Sequence, residues 1–267
     1  IKKIVLLLPA NMFIRKRISF AHELNDQQLA VVTSGEGPVL VIAGAGSGKT
    51  RTLTYRVAYL IEQGVDPFSL LLVTFTNKAA QDMLNRVATL VPHDIKKLWG
   101  GTFHHIANRI LRVHAPRQGF QSNFTILDQQ DAIDLLNSCF MDLGYKKKSK
   151  LLPQGAVLSR MFSLAHNMRL SLPELIEQRQ PYFIQCLKEI NAIYQHYTKK
   201  KQQLNLLDFD DLLIYWLRLM EEDAALKEFY ARRFCYILVD EYQDTNKLQA
   251  DIIDALAYLH KNLMVVG

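Results

Sequence analysis

Apolar positions along this chain fall into two alternating patterns. Short continuous runs, PVLVIA (38–43), LLLVTF around Leu71, LWGGTF (98–103), CYILVD (235–240) and LMVVG (263–267), are separated by longer stretches in which apolar residues return every three or four positions. Continuous runs suit strands buried on both faces, and the longer period suits helices packed against them. The alternation of the two predicts an α/β domain with a parallel sheet and crossover helices. KTRTLTYRVAYLIEQ (49–63) is the first crossover helix, with Gly64 placed to cap its end. NKAAQDMLNRVATL (77–90) is the second, with Asn77 in the N-cap position. HHIANRILRVH (104–114) and NKLQADIIDALAYL (246–259) complete the set.

Between about Val113 and Leu207 the strand signal fades. DQQDAIDLLNSCFMDLG (128–144) and PYFIQCLKEINAIYQHYTKKK (181–201) are periodic at helical spacing, punctuated by YKKKSKLLP and RLSLPEL. This predicts a helical subdomain inserted into the α/β domain, with residues 1–112 and 208–267 forming the α/β part and 113–207 the insertion.

Composition narrows the picture only modestly. At 267 residues and 49% hydrophobic, the chain can build a sizeable core. A net charge of +6 and a pI near 9.1 suit a polyanionic partner such as nucleic acid. Cys139, Cys186 and Cys235 are scattered without CxxC spacing, which argues against a disulfide framework or zinc site and for a reduced, cytoplasmic setting. Near the start, only Ile4 to Pro9 is continuously apolar, too short to cross a membrane and without a signal-cleavage pattern. No membrane association is expected.

The chemistry concentrates in two places. VIAGAGSGKT (41–50) has the form of a P-loop, with Ala43 in the first position, then Gly44, Ala45, Gly46, Ser47, Gly48, Lys49 and Thr50. Such a loop between strand and helix surrounds phosphates with backbone amides, with a lysine reaching the β- and γ-phosphates and a hydroxyl on Mg²⁺. ILVDEYQDTN (237–246) brings an apolar strand to Asp240 and Glu241, at the edge of a parallel sheet where ligands bind. Asp240 suits the Mg²⁺ shell, and Glu241 suits orienting and deprotonating an attacking water. Without the P-loop, the second motif would read equally well as a solvated acidic turn.

Taken in order, LNDQQ (24–28), AGAGSGKTR (43–51), VTFTNKAA (73–80), GTFHHIANRIL (101–111), LDFDDLL (207–213) and VDEYQDTN (239–246) resemble the motifs of superfamily 1 DNA helicases of the UvrD/Rep type. The resemblance implies a RecA-like motor domain interrupted by a helical domain, using ATP and Mg²⁺ to move 3′ to 5′ along single-stranded DNA and to act at DNA junctions. It assigns Gln28 and Arg51 to the adenine end, Lys49 and Thr50 to phosphates and metal, and Asp240 and Glu241 to metal and water. Gln243 would lie near the γ-phosphate and connect the nucleotide to the DNA side. Thr74, Phe75, Thr76, Asn77, Thr102, Phe103 and His104 are the matching DNA-binding positions. Phe75 and Phe103 suit base stacking or, equally, core packing. The YKKKSK cluster suits either phosphate contact or a solvated surface.

Two departures from the pattern are Asp26, where proline is common, and Asp82, where glutamate is. The resemblance also implies a second RecA-like domain of the same polypeptide beyond LMVVG. The chain is therefore expected to be an amino-terminal fragment that does not unwind DNA alone. A catalytically silent binding module is the alternative. A small-molecule phosphotransferase would leave VTFTNKAA, GTFHH and the insertion unexplained.

Overall fold

A computed structural model describes residues 18–44, 46–91, 95–145 and 152–267. Ala45, the first residues up to 17 and most of the YKKKSK cluster lie outside the described residues. Two short helices, α1 (Phe20–Glu23) and α2 (Asp26–Val32), precede β1 (Val39–Val41) and α3 (Lys49–Glu62). Next come β2 (Leu70–Thr74), α4 (Asn77–Leu90), β3 (Trp99–Thr102) and α5 (Phe103–His114). The intervening segment runs through β4 (Thr125–Ile126), α6 (Gln129–Asp142), α7 (Gly155–Met168), α8 (Leu172–Arg179), α9 (Leu187–Gln203) and β5 (Leu206–Leu207). The chain returns through α10 (Phe209–Glu222), α11 (Ala224–Arg233), β6 (Tyr236–Val239), α12 (Lys247–Ala257) and β7 (Leu263–Val266).

Five strands form one parallel sheet in the order β1-β7-β6-β2-β3, the RecA-like α/β arrangement that the sequence predicts. The apolar runs alternate between its two faces, as side chains on a pleated strand must. Leu71, Val73, Ile237, Val239 and Val265 face the layer built from α5, α10 and α12. Leu70, Leu72, Leu238, Met264 and Val266 face α3 and α4. Burial on both faces is why these strands read as continuous hydrophobic runs. Strand β1 is the exception: it forms the sheet edge, and Leu40 and Ile42 are 65% and 84% exposed.

Helices α6 to α9 pack around a core of their own that includes Leu136, Phe162, Leu175 and Ile193. The two-residue strands β4 and β5 pair at the base of this helical segment. They are too short to show as a pattern in the sequence. Immediately beside them, Lys201 is buried between two carboxylates, with Nζ 2.6 Å from Asp208 and 2.5 Å from Asp211. The Tyr197 hydroxyl donates to the same Asp208 carboxylate at 2.8 Å. Burial pushes the Asp211 pKa up, against the opposing attraction of Lys201.

One capping detail differs from expectation. Thr76, not Asn77, is the N-cap of α4; its hydroxyl accepts from the Ala79 amide, and Asn77 is the first helical residue. Thr76 has the extended backbone that an N-cap requires. Gly64 lies just past the end of α3 at φ 92°, in the left-handed region that favours glycine. Among the described residues no helix is long and apolar enough to cross a membrane.

Candidate functional site

Because every strand of the main sheet runs the same way, all their carboxyl ends open on one edge. The P-loop leaves that edge from β1, and the Asp240–Glu241 pair leaves it from β6. The Thr76 and Thr102 helix caps leave it from the neighbouring strands β2 and β3.

The loop begins where the Ala43 amide donates to the Gly267 carbonyl, tying it to the end of β7. Gly46 and Gly48 have φ values of 78° and 89°, and Gly48 is the N-cap of α3. Left-handed residues in such a loop turn backbone amides toward a common concavity, at a helix end that already favours anions. The Ser47 amide closes a turn onto Gly44 O at 3.3 Å. Gln28 holds the loop from the other side. Its Oε1 accepts from the Asn25 amide in the capping box of α2, while its Nε2 donates to Ser47 O at 3.0 Å. A Cβ on Gly48 would approach Gln28 Nε2 to 2.8 Å, a flexible side-chain end that can give way, so it is the left-handed φ that calls for glycine there.

Lys49 and Thr50, in the first turn of α3, reach the residues after β6. Lys49 Nζ lies 3.4 Å from Glu241 Oε2, and Thr50 Oγ1 donates to Asp240 Oδ2 at 3.2 Å. Asp240 is only 2% exposed; its other carboxylate oxygen accepts from the Glu241 amide at 3.1 Å. Glu241 occupies the left-handed region at φ 52°, an uncommon conformation for a residue with a side chain. Gln243 donates to Glu241 Oε2 and packs against Gly267.

The two carboxylates are tuned in opposite directions. Burial, reinforced by neighbouring Glu241, pushes the Asp240 pKa up, with the Thr50 hydrogen bond working against it. The hydrogen bond from Gln243, helped by Lys49, holds Glu241 below the ordinary carboxylate range. A carboxylate and a hydroxyl 3.2 Å apart are the hard oxygen donors that Mg²⁺ prefers, and a cation there would offset the burial that raises Asp240. The residues present therefore fit both Mg²⁺ and a nucleotide phosphate chain.

Arg51 points away from this group. Its Nη2 donates to Glu23 O at 2.8 Å and to the Tyr55 hydroxyl at 3.3 Å, and its guanidinium lies 4.9 Å from the Tyr55 ring centre. The Tyr55 hydroxyl is hydrogen-bonded to the Glu23 carboxylate. Arg51 thus fastens α1 beside the Gln28 end of the loop.

The positions matched to DNA divide by burial. Thr74 and Thr102 are register partners on β2 and β3, which sets the starts of α4 and α5 side by side. Thr76 and Asn77 are exposed at the first of these helix ends. Thr102 caps the second, accepting from the His105 amide at 3.2 Å. Thr74 is buried, and its hydroxyl has no hydrogen-bond partner among the described residues. Phe103 is 2% exposed within the core, where no base can reach its face, so its part is packing. It supports half-buried Phe75 edge-on, with ring centres 6.1 Å apart.

His104 is half-buried, and burial lowers its pKa. It meets the edge of Phe209 at 5.8 Å. Phe209 is 51% exposed at the first turn of α10 and was not among the predicted site residues. Spacing gave no signal for it: in LDFDDLL, Phe209 stands in helical register with Leu212, Leu213 and Trp216 and reads as part of the same buried stripe.

A parallel α/β sheet with a glycine loop, Lys49 and Thr50 facing Asp240 and Glu241 defines a P-loop nucleotide-binding domain. The family is narrower than that. The model of the UvrD/REP helicase N-terminal domain matches residues 24–267, and the chain belongs to that family. The chain is 40% identical over 248 residues to the ATP-dependent DNA helicase PcrA of Staphylococcus epidermidis strain ATCC 35984, a match covering 91% of the chain and 33% of that protein. To the ATP-dependent DNA helicase PcrA of Staphylococcus aureus strain Mu50 it is 39% identical over 92% of the chain and 33% of that protein. The chain spans about a third of the length of the curated relatives it matches.

Proposed function

We propose that this chain is the ATP-binding and ATP-hydrolysing first motor domain of a 3′-to-5′ DNA helicase or translocase that works on single-stranded DNA and DNA junctions in repair or replication. The observation that carries the reading is the convergence of Lys49, Thr50, Asp240, Glu241 and Gln243 within hydrogen-bonding reach of one another, beside two helix ends suited to a DNA backbone. In this reading residues 1–112 and 208–267 form the motor domain and 113–207 the inserted domain.

The roles follow from geometry and charge. Loop amides and Lys49 bind the triphosphate, and Thr50 and Asp240 hold Mg²⁺. Bound there, Mg²⁺ supplies charge neutralisation at the phosphates. Glu241, kept ionised by Gln243 and Lys49, accepts a proton from the attacking water. Gln28 and Arg51 flank the adenine end. On the DNA side, exposed Thr76 and Asn77 with the Thr102 cap hold phosphates, while Phe75 and Phe209 offer rings to bases.

A complete set of catalytic groups supports an active NTPase over a silent binding module. Exposed Leu40 on edge strand β1 and Ile42 just after it suit further polypeptide covering that edge, in keeping with a second RecA-like domain. Unwinding is assigned in this reading to a longer polypeptide, since the chain spans about a third of the length of the curated relatives it matches.

The test is nucleotide and DNA binding by this chain. Mg·ATP binding weakened roughly tenfold to hundredfold in Lys49→Ala, together with salt-sensitive binding of single-stranded DNA, is the expected result. Nucleotide binding indifferent to Lys49→Ala overturns it.

A further inference from the structure

A line of polar side chains runs from the start of α10, beside exposed Phe209, to the segment that follows Glu241, and it passes through α7. Ser163 Oγ donates to Asp210 Oδ1 at 3.0 Å. Asn167, one turn further along α7, contacts Ser163 Oγ through Nδ2 at 3.3 Å. Asn246 Nδ2 donates to Asn167 Oδ1 at 2.9 Å. Asn246 is the N-cap of α12, three residues beyond Gln243, and its Oδ1 accepts from the Gln249 amide at 2.9 Å.

The helix cap fixes the direction of the whole series. With its oxygen committed to Gln249, Asn246 has only its amide nitrogen to offer, so Asn167 must present oxygen to it. Asn167 then turns its own nitrogen to Ser163, and the serine proton is left for Asp210. Each donor meets an acceptor in one consistent order. Arg169 secures the end of the same helix, pairing with Glu221 of α10 at 2.6 Å and with Asp251 of α12 at 3.2 Å.

The two ends of this line differ in freedom. Asn246 is locked in a capping box. Asp210 follows exposed Phe209, and Phe209, Asp210 and Ser163 all line a cavity of about 400 Å³. The Phe209 end therefore has room to shift, while the other end is fixed by the Asn246 capping box, three residues beyond Gln243.

We infer that Ser163 and Asn167 are positioning residues through which the inserted helix α7 couples occupancy of the DNA face at Phe209 to the hydrolysis segment at Glu241–Gln243. This rests on the functional reading above and adds the inserted helix to it as a working part. Neither residue touches nucleotide or DNA; both act through Asp210 and Asn246.

The test is a linkage measurement on this chain. Affinity for a fluorescent single-stranded oligothymidylate is measured with and without a non-hydrolysable ATP analogue and Mg²⁺, for wild type, Ser163→Ala, Ser163→Thr and Asn167→Ala. Coupling between sites is expected to change the wild-type DNA affinity by about fivefold or more when nucleotide is bound. Ser163→Ala should bring that ratio to within about twofold of unity while changing each separate affinity by no more than about twofold. Ser163→Thr, which keeps the hydroxyl, should restore the wild-type ratio, and Asn167→Ala should match Ser163→Ala.

A wild-type ratio retained in folded Ser163→Ala overturns the inference, as does a wild type that binds both ligands with no mutual effect. A wild type that binds neither ligand overturns the functional reading itself, and the inference with it.

Discussion

Thr50 and Asp240 stand 190 positions apart in the chain and meet through a 3.2 Å hydrogen bond between Oγ1 and Oδ2. One lies in the first turn of α3, the other at the end of β6, and only the parallel order of the sheet brings them to the same edge. In this account the pair is the Mg²⁺ seat. Asp240→Asn retains the side-chain size and removes the charge, so it should abolish Mg²⁺-dependent nucleotide binding while the chain stays folded. Isothermal titration with and without Mg²⁺ checks this.

Lys49 faces Glu241 at 3.4 Å and is the cation closest to the expected phosphates. Lys49→Ala removes a charge-assisted contact worth about 1.5–3 kcal/mol, roughly a tenfold to hundredfold loss of ATP affinity. Because the pair is partly solvated, the same change should shift the unfolding midpoint little. Comparing ATP titration with thermal melts separates the two effects.

Phe103, buried in the core, and Phe209, half exposed at the start of α10, give a paired prediction. Phe209→Ala should weaken single-stranded DNA binding by about 1–3 kcal/mol and leave stability near wild type. Phe103→Ala empties a core position and should cost about 3–5 kcal/mol of stability. Anisotropy titrations and urea unfolding of both variants check the pair.

These contrasts show what the sequence made legible. The sheet, its crossover helices and both halves of the nucleotide site were readable because each depends on a local pattern: an apolar run, a helical period, a glycine loop. Phe103 belongs to a motif matched to DNA, yet its ring faces the core, a fact set by tertiary packing against Phe75 and α10 rather than by spacing. Strands β4 and β5 are two residues each and leave no periodic trace. The contact between Asn167 and Asn246 joins positions 79 apart on separate elements, and nothing local announces it.

Lys201 is buried between Asp208 and Asp211 where the helical insertion joins the α/β part. Lys201→Met would leave two buried carboxylates without their cation and should cost about 3–5 kcal/mol. Adding Asp211→Asn should recover part of that loss. Urea unfolding of the single and double variants provides the check.

His166 sits against Tyr194, and burial lowers its pKa from 6.5 to about 4. Its folded value is depressed, so the unfolded chain binds the extra proton first as pH falls. The contribution is therefore fully present above about pH 6.5 and is lost as the pH drops toward 4, by up to about 3 kcal/mol. His166→Gln should flatten that acid limb of a stability-versus-pH profile. An acid limb of unchanged slope contradicts the assignment.

The central claim is that Glu241 activates water in an ATP site that serves a DNA motor. It is tested most directly by ATP hydrolysis in the longer polypeptide proposed above, assayed with and without single-stranded DNA, for wild type and Glu241→Gln. The account predicts hydrolysis stimulated by DNA in the wild type, and its loss in Glu241→Gln with ATP binding retained. Hydrolysis indifferent to DNA, or undiminished by Glu241→Gln, would contradict it.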